Sequence, residues 1–290
     1  MRVEQEMLDL IVRTAREDDR IRAAYLCGSR VNSCVPKDIF QDYDIVYVVT
    51  ETGSFRKDRH WIDRFGERLF MQYPEDSVYY PSDVENCYGW LMQLSDGVRL
   101  DLHVCTLPFT LKALTEDPLY KILMDKDDCL PAPDSSAEAY YWVKRPTAAE
   151  FACTCNEFWW CLNNVAKGLW RGEIPYVMEM LNLYVRPMLV RLLSWVVGFQ
   201  TGFTVSVGKS GKYLNRWLKP LIWERFLSTY SKAEAEEIWE AVFAMCGLVD
   251  EAAAEIAEAL GFTLDTEEAC NSRAYLEHVW RLPKNAAEVY

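Results

Sequence analysis

The first part of the chain switches between hydrophobic patterns typical of helices and of strands. Residues 3–17 carry apolar side chains at helical spacing between charged ones, which predicts an opening amphipathic helix. Apolar runs of strand length follow at 21–26 and 44–50, and the second is rich in β-branched and aromatic residues. Two further runs, 90–94 and 98–104, flank an Asp-Gly sequence typical of a hairpin turn. These segments predict an α+β unit with a mixed sheet and flanking helices.

The pattern changes near residues 130–136, where two prolines and small polar residues indicate a linker. Beyond it the spacing is helical almost throughout, which predicts a bundle of packed helices. Two apolar stripes carry this prediction: Phe158, Cys161, Leu162, Val165 and Leu169, and then Ile238, Val242, Met245, Val249, Ala253 and Ile256. We therefore expect two domains, 1–133 with the sheet and 134–290 with the bundle.

Composition places the chain among ordinary globular proteins, with 290 residues of which 50% are hydrophobic and 26% charged. The sequence has no readable secretory signal, and polar residues interrupt its longest apolar stretch, 188–199. We expect a cytoplasmic monomer without a membrane partner. The ten cysteines are scattered, which predicts reduced thiols. Cys153 and Cys155 lack the further ligands of a zinc site.

A net charge of −13 argues against a nucleic acid partner, because binding phosphates requires clustered lysine and arginine. Two interpretations remain open. An acidic surface attracts a small polycation, and it also simply keeps a protein soluble.

Three acidic residues carry the candidate chemistry. Asp42 and Asp44 are two residues apart at the start of a predicted strand, so both side chains face the same side. Adjacent carboxylates repel each other unless a divalent cation lies between them, and hard oxygen ligands suit Mg²⁺. Asp101 alternates with apolar residues on the hairpin. If its strand neighbours that of Asp44, the three residues form one carboxylate cluster.

A glycine-serine turn follows the first predicted strand. Gly28 lets backbone N–H groups approach a phosphate closely, and the Ser29 hydroxyl adds one more donor. With Arg30 next in the chain, we predict that Gly28, Ser29 and Arg30 bind a nucleotide.

Glycine-serine, an acid-x-acid pair and a later strand acid together resemble the nucleotidyltransferase superfamily typified by DNA polymerase β. More specific runs resemble the streptomycin 6-adenylyltransferase family, and the similarity extends from Glu4 to at least Trp239. These runs are Pro36-Lys37-Asp38, Phe40-Gln41-Asp42-Tyr43-Asp44-Ile45, Asn156-Glu157-Phe158-Trp159, and Thr201-Gly202-Phe203 leading to Ser206-Val207-Gly208-Lys209.

The resemblance implies an enzyme that uses ATP and Mg²⁺ to transfer AMP to an aminoglycoside hydroxyl, releasing pyrophosphate and inactivating the antibiotic. The 6-hydroxyl of streptomycin is the favoured acceptor. Residues 1–133 are then the catalytic domain and 134–290 the helical substrate-binding domain. Asp42, Asp44 and Asp101 are the expected metal ligands and catalytic residues, with Asp101 the candidate general base.

The resemblance also directs attention to residues of the second domain. Lys209 and Lys212 are candidates for the β- and γ-phosphates; two solvated loop lysines are the alternative. The spacing of the nearby glycines does not match a P-loop. Glu157, Trp160 and Asn164 share one helix face, which we predict receives the antibiotic. An ordinary exposed helix face explains the same pattern.

Three rival functions remain. The first is nucleotidyl transfer to a lincosamide or to another aminoglycoside. The second is modification of a protein within a toxin-antitoxin pair, although such enzymes usually have a short minimal catalytic domain. The third is a scaffold with an inactive site, against which the intact Asp42, Asp44 and Asp101 argue.

Overall fold

Residues 2–290 are described by a computed structural model, in which the chain divides into two units, Met1–Tyr140 and Tyr141–Tyr290. Unit 1 contains the following elements: α1 (Glu4–Glu17), β1 (Ile21–Cys27), β2 (Tyr43–Val49), α2 (Gly53–Lys57), β3 (Arg68–Gln72), β4 (Cys87–Leu94), β5 (Arg99–Thr106), α3 (Leu107–Glu116) and β6 (Lys121–Asp125).

The strands of unit 1 form one six-stranded sheet in the order β3-β4-β5-β2-β1-β6. Strands β2 and β5 run parallel, and their neighbours pair antiparallel, so the sheet is mixed. The α+β class expected from the sequence is therefore confirmed. The predicted hairpin corresponds to β4 and β5, and the predicted opening helix to α1.

Side-chain alternation along the strands divides the sheet into two faces. One face packs against α1, with Met7 and Ile11 against Ile45 and Tyr47. The other face carries a smaller core that includes Val46, together with residues of β1, β5 and α3. Asp44 and Asp101 belong to this second face, because Asp44 alternates with Ile45 and Asp101 with Leu100 and Leu102.

The two outermost strands were not predicted from the sequence. Strand β3 exposes Leu69 (64%) and Phe70 (69%), and the residues of β6 are partly or fully exposed. Each pairs on one side only. Neither strand therefore has the alternation of buried and exposed positions by which the inner strands are recognised.

Unit 2 is helical. Its helices are α4 (Ala148–Arg171), α5 (Ile174–Met180), α6 (Arg186–Gln200), α7 (Pro220–Ser228), α8 (Ala235–Leu260) and α9 (Thr266–Arg281), with a π-helical turn, Leu181–Val185, between α5 and α6. Both predicted apolar stripes are buried in its core, one on α4 and the other on α8.

The continuous helical run Ile174–Gln200 is long and apolar enough, by composition, to cross a membrane. Its mean hydropathy is 1.2, and 56% of the apolar window is buried inside the protein. Leu189, Leu192 and Val197 of this run belong to the core of unit 2, as in the central helix of a bundle.

Candidate active site

The three predicted acidic residues lie together at one end of the sheet. The parallel register pairs Asp44 of β2 with Asp101 of β5, and Asp42 directly precedes β2. One carboxylate oxygen from each of the three residues lies within 4.8 Å of the others. Asp42, Asp44 and Asp101, called the carboxylate triad below, are thus one cluster, as expected if β2 and β5 are neighbours.

Gly28 allows the carboxylate of Asp44 to lie where it does. It follows β1 and begins a short 3₁₀ turn, Gly28–Val31, with a φ of +70°. A Cβ atom at this position would lie only 1.9 Å from Oδ2 of Asp44. Both the backbone angle and this close approach favour glycine.

The hydroxyl of Ser29 is buried and has no hydrogen-bond partner among the described residues. Such a group costs free energy unless a partner arrives. The turn therefore presents an unsatisfied donor next to the glycine that contacts the triad, which is the arrangement expected of a site that receives an anionic oxygen.

The pKa of Asp44 is raised to about 7. Burial is the largest cause, the neighbouring carboxylates Asp42 and Asp101 raise the pKa further, and Arg99 and Arg30 partly oppose the shift. The charged form of Asp44 is thus costly at neutral pH. A bound divalent cation removes this cost.

The residues present fit a magnesium ion. The triad supplies three hard oxygen ligands at short mutual distances, and these are the donors that Mg²⁺ prefers. Repulsion from Asp42 and Asp101 is among the causes that raise the pKa of Asp44, and a divalent cation among the three carboxylates would offset this repulsion.

The sequence of the chain matches the family profile described as streptomycin adenylyltransferase over residues 1–279. The chain belongs to this family. It is 39% identical over 263 residues to an aminoglycoside 6-adenylyltransferase of Bacillus subtilis (strain 168), covering 90% of this chain and 93% of the relative. An aminoglycoside 6-adenylyltransferase of Campylobacter jejuni is 38% identical over 257 residues, with 89% of each chain covered.

A solved structure of an aminoglycoside 6-adenyltransferase from Bacillus subtilis is 34% identical in sequence. The comparison covers 97% of this chain and 100% of that one, with a TM-score of 0.48. The streptomycin adenylyltransferase family profile and the sequence relatives identify the chain as an adenylyltransferase.

Arg30 belongs to the same turn as Ser29, but its side chain is already bound to other parts of the protein. Its guanidinium donates hydrogen bonds of 2.8 Å to the backbone carbonyls of Gln41 and Asp42 and stacks over the Tyr43 ring at 3.7 Å. These contacts fix the segment that leads into β2. They support a positioning role for Arg30, whereas its contact with a nucleotide remains a prediction.

Sequence reasoning gave no role to Arg99, which contacts the triad directly. Its Nε and Nη2 atoms donate hydrogen bonds of 2.9 and 2.6 Å to the two carboxylate oxygens of Asp101. The Nε atom also lies 3.8 Å from Oδ2 of Asp42. The sequence did contain a signal for this contact: Arg99 lies two residues before Asp101, and alternation along a strand puts both side chains on one face.

His103 lies further along the same face of β5, above Gly89 of β4. A Cβ at Gly89 would lie 2.4 Å from the imidazole, so only glycine leaves room for the ring. Burial lowers the pKa of His103, although Glu75 at 3.9 Å and Asp101 oppose this shift. The close packing of the ring against Gly89 fits a structural role for His103.

The predicted antibiotic-binding residues lie on α4 of unit 2. Glu157 and Trp160 are exposed, the latter by 65%, and Asn164 is half-buried. The carboxylate of Glu157 accepts a hydrogen bond of 3.3 Å from the Cys161 thiol. All three residues have accessible side chains on α4, and their binding role remains a prediction.

The predicted phosphate-binding lysines also belong to unit 2. Lys209 and Lys212 are exposed. They lie in a segment in which several residues have a positive φ, including Gly208 at +71°. Lys212 lies 5.0 Å from the centre of the Tyr213 ring. Among the described residues, neither lysine has a carboxylate within ion-pair distance. Both remain candidates for an anionic ligand.

Proposed function

We propose that the chain transfers AMP from ATP to a hydroxyl of an aminoglycoside, with the 6-hydroxyl of streptomycin as the acceptor. The observation that carries the proposal is the carboxylate triad, whose oxygens lie within 4.8 Å of one another, with the unsatisfied Ser29 hydroxyl in the turn that begins at Gly28. The similar enzymes from Bacillus subtilis and Campylobacter jejuni are aminoglycoside 6-adenylyltransferases, which supports this acceptor class.

In the proposed reaction, the acceptor oxygen forms a bond to the α-phosphorus and the bond from that phosphorus to pyrophosphate breaks. The proton of the acceptor hydroxyl passes to the carboxylate of Asp101. Asp42, Asp44 and Asp101 would hold Mg²⁺, which would supply positive charge to the triphosphate. The Ser29 hydroxyl donates to a phosphate oxygen, which satisfies a group that otherwise has no partner.

We further propose that the exposed face of α4 selects the acceptor. Streptomycin carries planar guanidinium groups, which pair with carboxylates through two parallel hydrogen bonds. Glu157 supplies such a carboxylate, and Trp160 supplies an exposed aromatic surface for a cation. Drugs of the kanamycin type lack guanidinium groups, so we expect them to be poor acceptors.

A direct assay tests this function. The protein is incubated with ATP, Mg²⁺ and either streptomycin, a kanamycin or a lincosamide, and the products are analysed by mass spectrometry. We expect streptomycin to gain one AMP with equimolar release of pyrophosphate, and Asp42→Asn to show no product. A kinetic preference for kanamycin over streptomycin contradicts the acceptor assignment, and modification of none of the drugs contradicts the function.

The role of Asp101 as base can be separated from a role as metal ligand alone. Removing a base lowers kcat, whereas removing a ligand weakens binding of the nucleotide and its metal. We expect Asp101→Asn to lower kcat at least about 100-fold with a modest change in MgATP affinity. Asp42→Asn serves as the comparison and should weaken MgATP binding strongly. The role of Asp101 as base is contradicted if both variants lose MgATP affinity equally and the kcat of Asp101→Asn stays close to that of the wild type.

A further inference from the structure

Arg99 donates a hydrogen bond to each of the two oxygens of the Asp101 carboxylate. Its two hydrogen bonds measure 2.9 and 2.6 Å, and Oδ2 of Asp42 lies within 3.8 Å of the same guanidinium. Arg99 thus neutralises part of the negative charge that the triad concentrates. A divalent cation bound by the same carboxylates must share Asp101 with this guanidinium or replace it.

The two partners of this ion pair differ in their freedom to move. The side chain of Asp101 is 12% exposed and is held on the central strand β5, whereas that of Arg99 is 50% exposed. Arg99 also lines a cavity of about 790 Å³, which offers space for another rotamer. The half-exposed guanidinium of Arg99 can therefore move into solvent when a cation takes its place on Asp101, whereas the Asp101 carboxylate stays in position.

We propose that Arg99 is a displaceable counter-ion of the carboxylate triad, which holds Asp101 and Asp42 in the absence of a divalent cation and moves away when the cation binds. This inference rests on the proposed metal-binding role of the triad. With all three carboxylates ionised, the triad carries a formal charge of −3, and Arg99 reduces it to −2. Arg99 therefore stabilises the metal-free site and at the same time weakens its affinity for cations.

Direct binding of Mn²⁺ tests the proposal without catalysis. Free Mn²⁺ is measured by electron paramagnetic resonance at pH 8 without nucleotide, for the wild type and for Arg99→Gln and Arg99→Lys. Arg56→Gln is the matched control, because Arg56 belongs to the same unit but pairs with Glu85. We expect Arg99→Gln to bind Mn²⁺ about tenfold more tightly than the wild type, and Arg56→Gln to bind it unchanged.

The lysine variant separates displacement from a simple charge effect. Lysine keeps the positive charge but cannot form the two parallel hydrogen bonds of arginine. Displacement predicts an affinity for Arg99→Lys between those of the wild type and Arg99→Gln. If Arg99→Lys binds Mn²⁺ as weakly as the wild type while Arg99→Gln binds it more tightly, charge alone acts and displacement is wrong.

Thermal unfolding gives an independent measurement. Arg99→Gln should unfold at a lower temperature than the wild type in EDTA, and saturating Mg²⁺ should largely remove this difference. Equal Mn²⁺ affinity of the wild type and Arg99→Gln overturns the counter-ion role but leaves the metal site intact. Absence of Mn²⁺ binding in every variant overturns both the counter-ion role and the proposed metal site.

Discussion

Gly28 lies at a φ of +70°, and the nearest atom to a Cβ placed there is Oδ2 of Asp44, at 1.9 Å. An alanine at this position therefore has two effects. It strains the backbone by about 1–2 kcal/mol, and it forces the Asp44 carboxylate away from Asp42 and Asp101. The second effect is specific to this glycine, because it acts on the geometry of the triad.

We accordingly predict that Gly28→Ala lowers kcat/KM at least about 100-fold, as expected when a reacting group moves by about 1 Å. Gly202→Ala is a matched control, since Gly202 has a φ of +67° and no atom within 4 Å of an added Cβ. Urea unfolding of both variants should show similar losses of stability. A Gly28→Ala enzyme as active as Gly202→Ala contradicts the proposed effect on Asp44.

At the residue scale, the sequence was sufficient wherever alternation along a strand alone decides the face. It predicted the shared face of Asp42 and Asp44, while Tyr43 between them is buried in the core beside α1. It did not reveal how Arg30 and Arg99 differ. Arg30 bonds to two backbone carbonyls and lies 3.5 Å from the Glu4 carboxylate, whereas Arg99 bonds to the Asp101 carboxylate of the triad, and only three-dimensional contacts distinguish these two uses of a guanidinium.

At the scale of elements, the triad depends on the parallel pairing of β2 and β5. The chain between them forms β3 and β4, so the strands that meet at Asp44 and Asp101 are distant in sequence. The hairpin of β4 and β5 was predictable because a short turn fixes it. Whether β5 lies beside β2 could not be predicted from the sequence, because pairing between strands distant in the chain leaves no local signal. The carboxylate cluster was therefore expected only if the two strands are neighbours.

The junction between α1 and β1 offers a test of the stability of this sheet. Asp18 accepts hydrogen bonds of 2.9 and 2.6 Å from Arg20 and one of 3.0 Å from the Trp61 indole. Burial raises the pKa of Asp18, but these hydrogen bonds outweigh burial and the net pKa is lowered. Since the unfolded chain binds this proton more readily, the stabilisation is present at neutral pH and is lost on acidification.

We predict that Asp18→Asn reduces the free energy of unfolding by about 1–2 kcal/mol at pH 7, and that the difference shrinks below about pH 4. Urea denaturation followed by tryptophan fluorescence at pH 7, 5 and 3.5 measures this dependence. Asp127→Asn, which removes the exposed partner of Arg22, should have a smaller effect at pH 7. A loss for Asp18→Asn that is constant across this pH range contradicts the role of the Asp18 charge.

At the scale of the whole molecule, charge is the property most directly connected with the proposed acceptor. The chain has 44 acidic residues against 31 lysines and arginines, a net charge of −13. Such a field raises the local concentration of a polycation and opposes the approach of a polyanion. The sequence alone left open whether this charge serves binding or only solubility, and the dependence of kinetics on salt separates the two.

If the charge serves binding, the KM for streptomycin should rise with ionic strength because salt screens the attraction between the drug and the acidic protein. We predict an increase of at least about threefold between 50 and 500 mM KCl, with a smaller change in kcat. The KM for MgATP, measured at the same salt concentrations, is the control, because an anionic substrate should not lose attraction to this surface when salt is added. A KM for streptomycin that stays constant or falls with added salt would show that the excess of acidic residues acts on solubility and does not attract the drug.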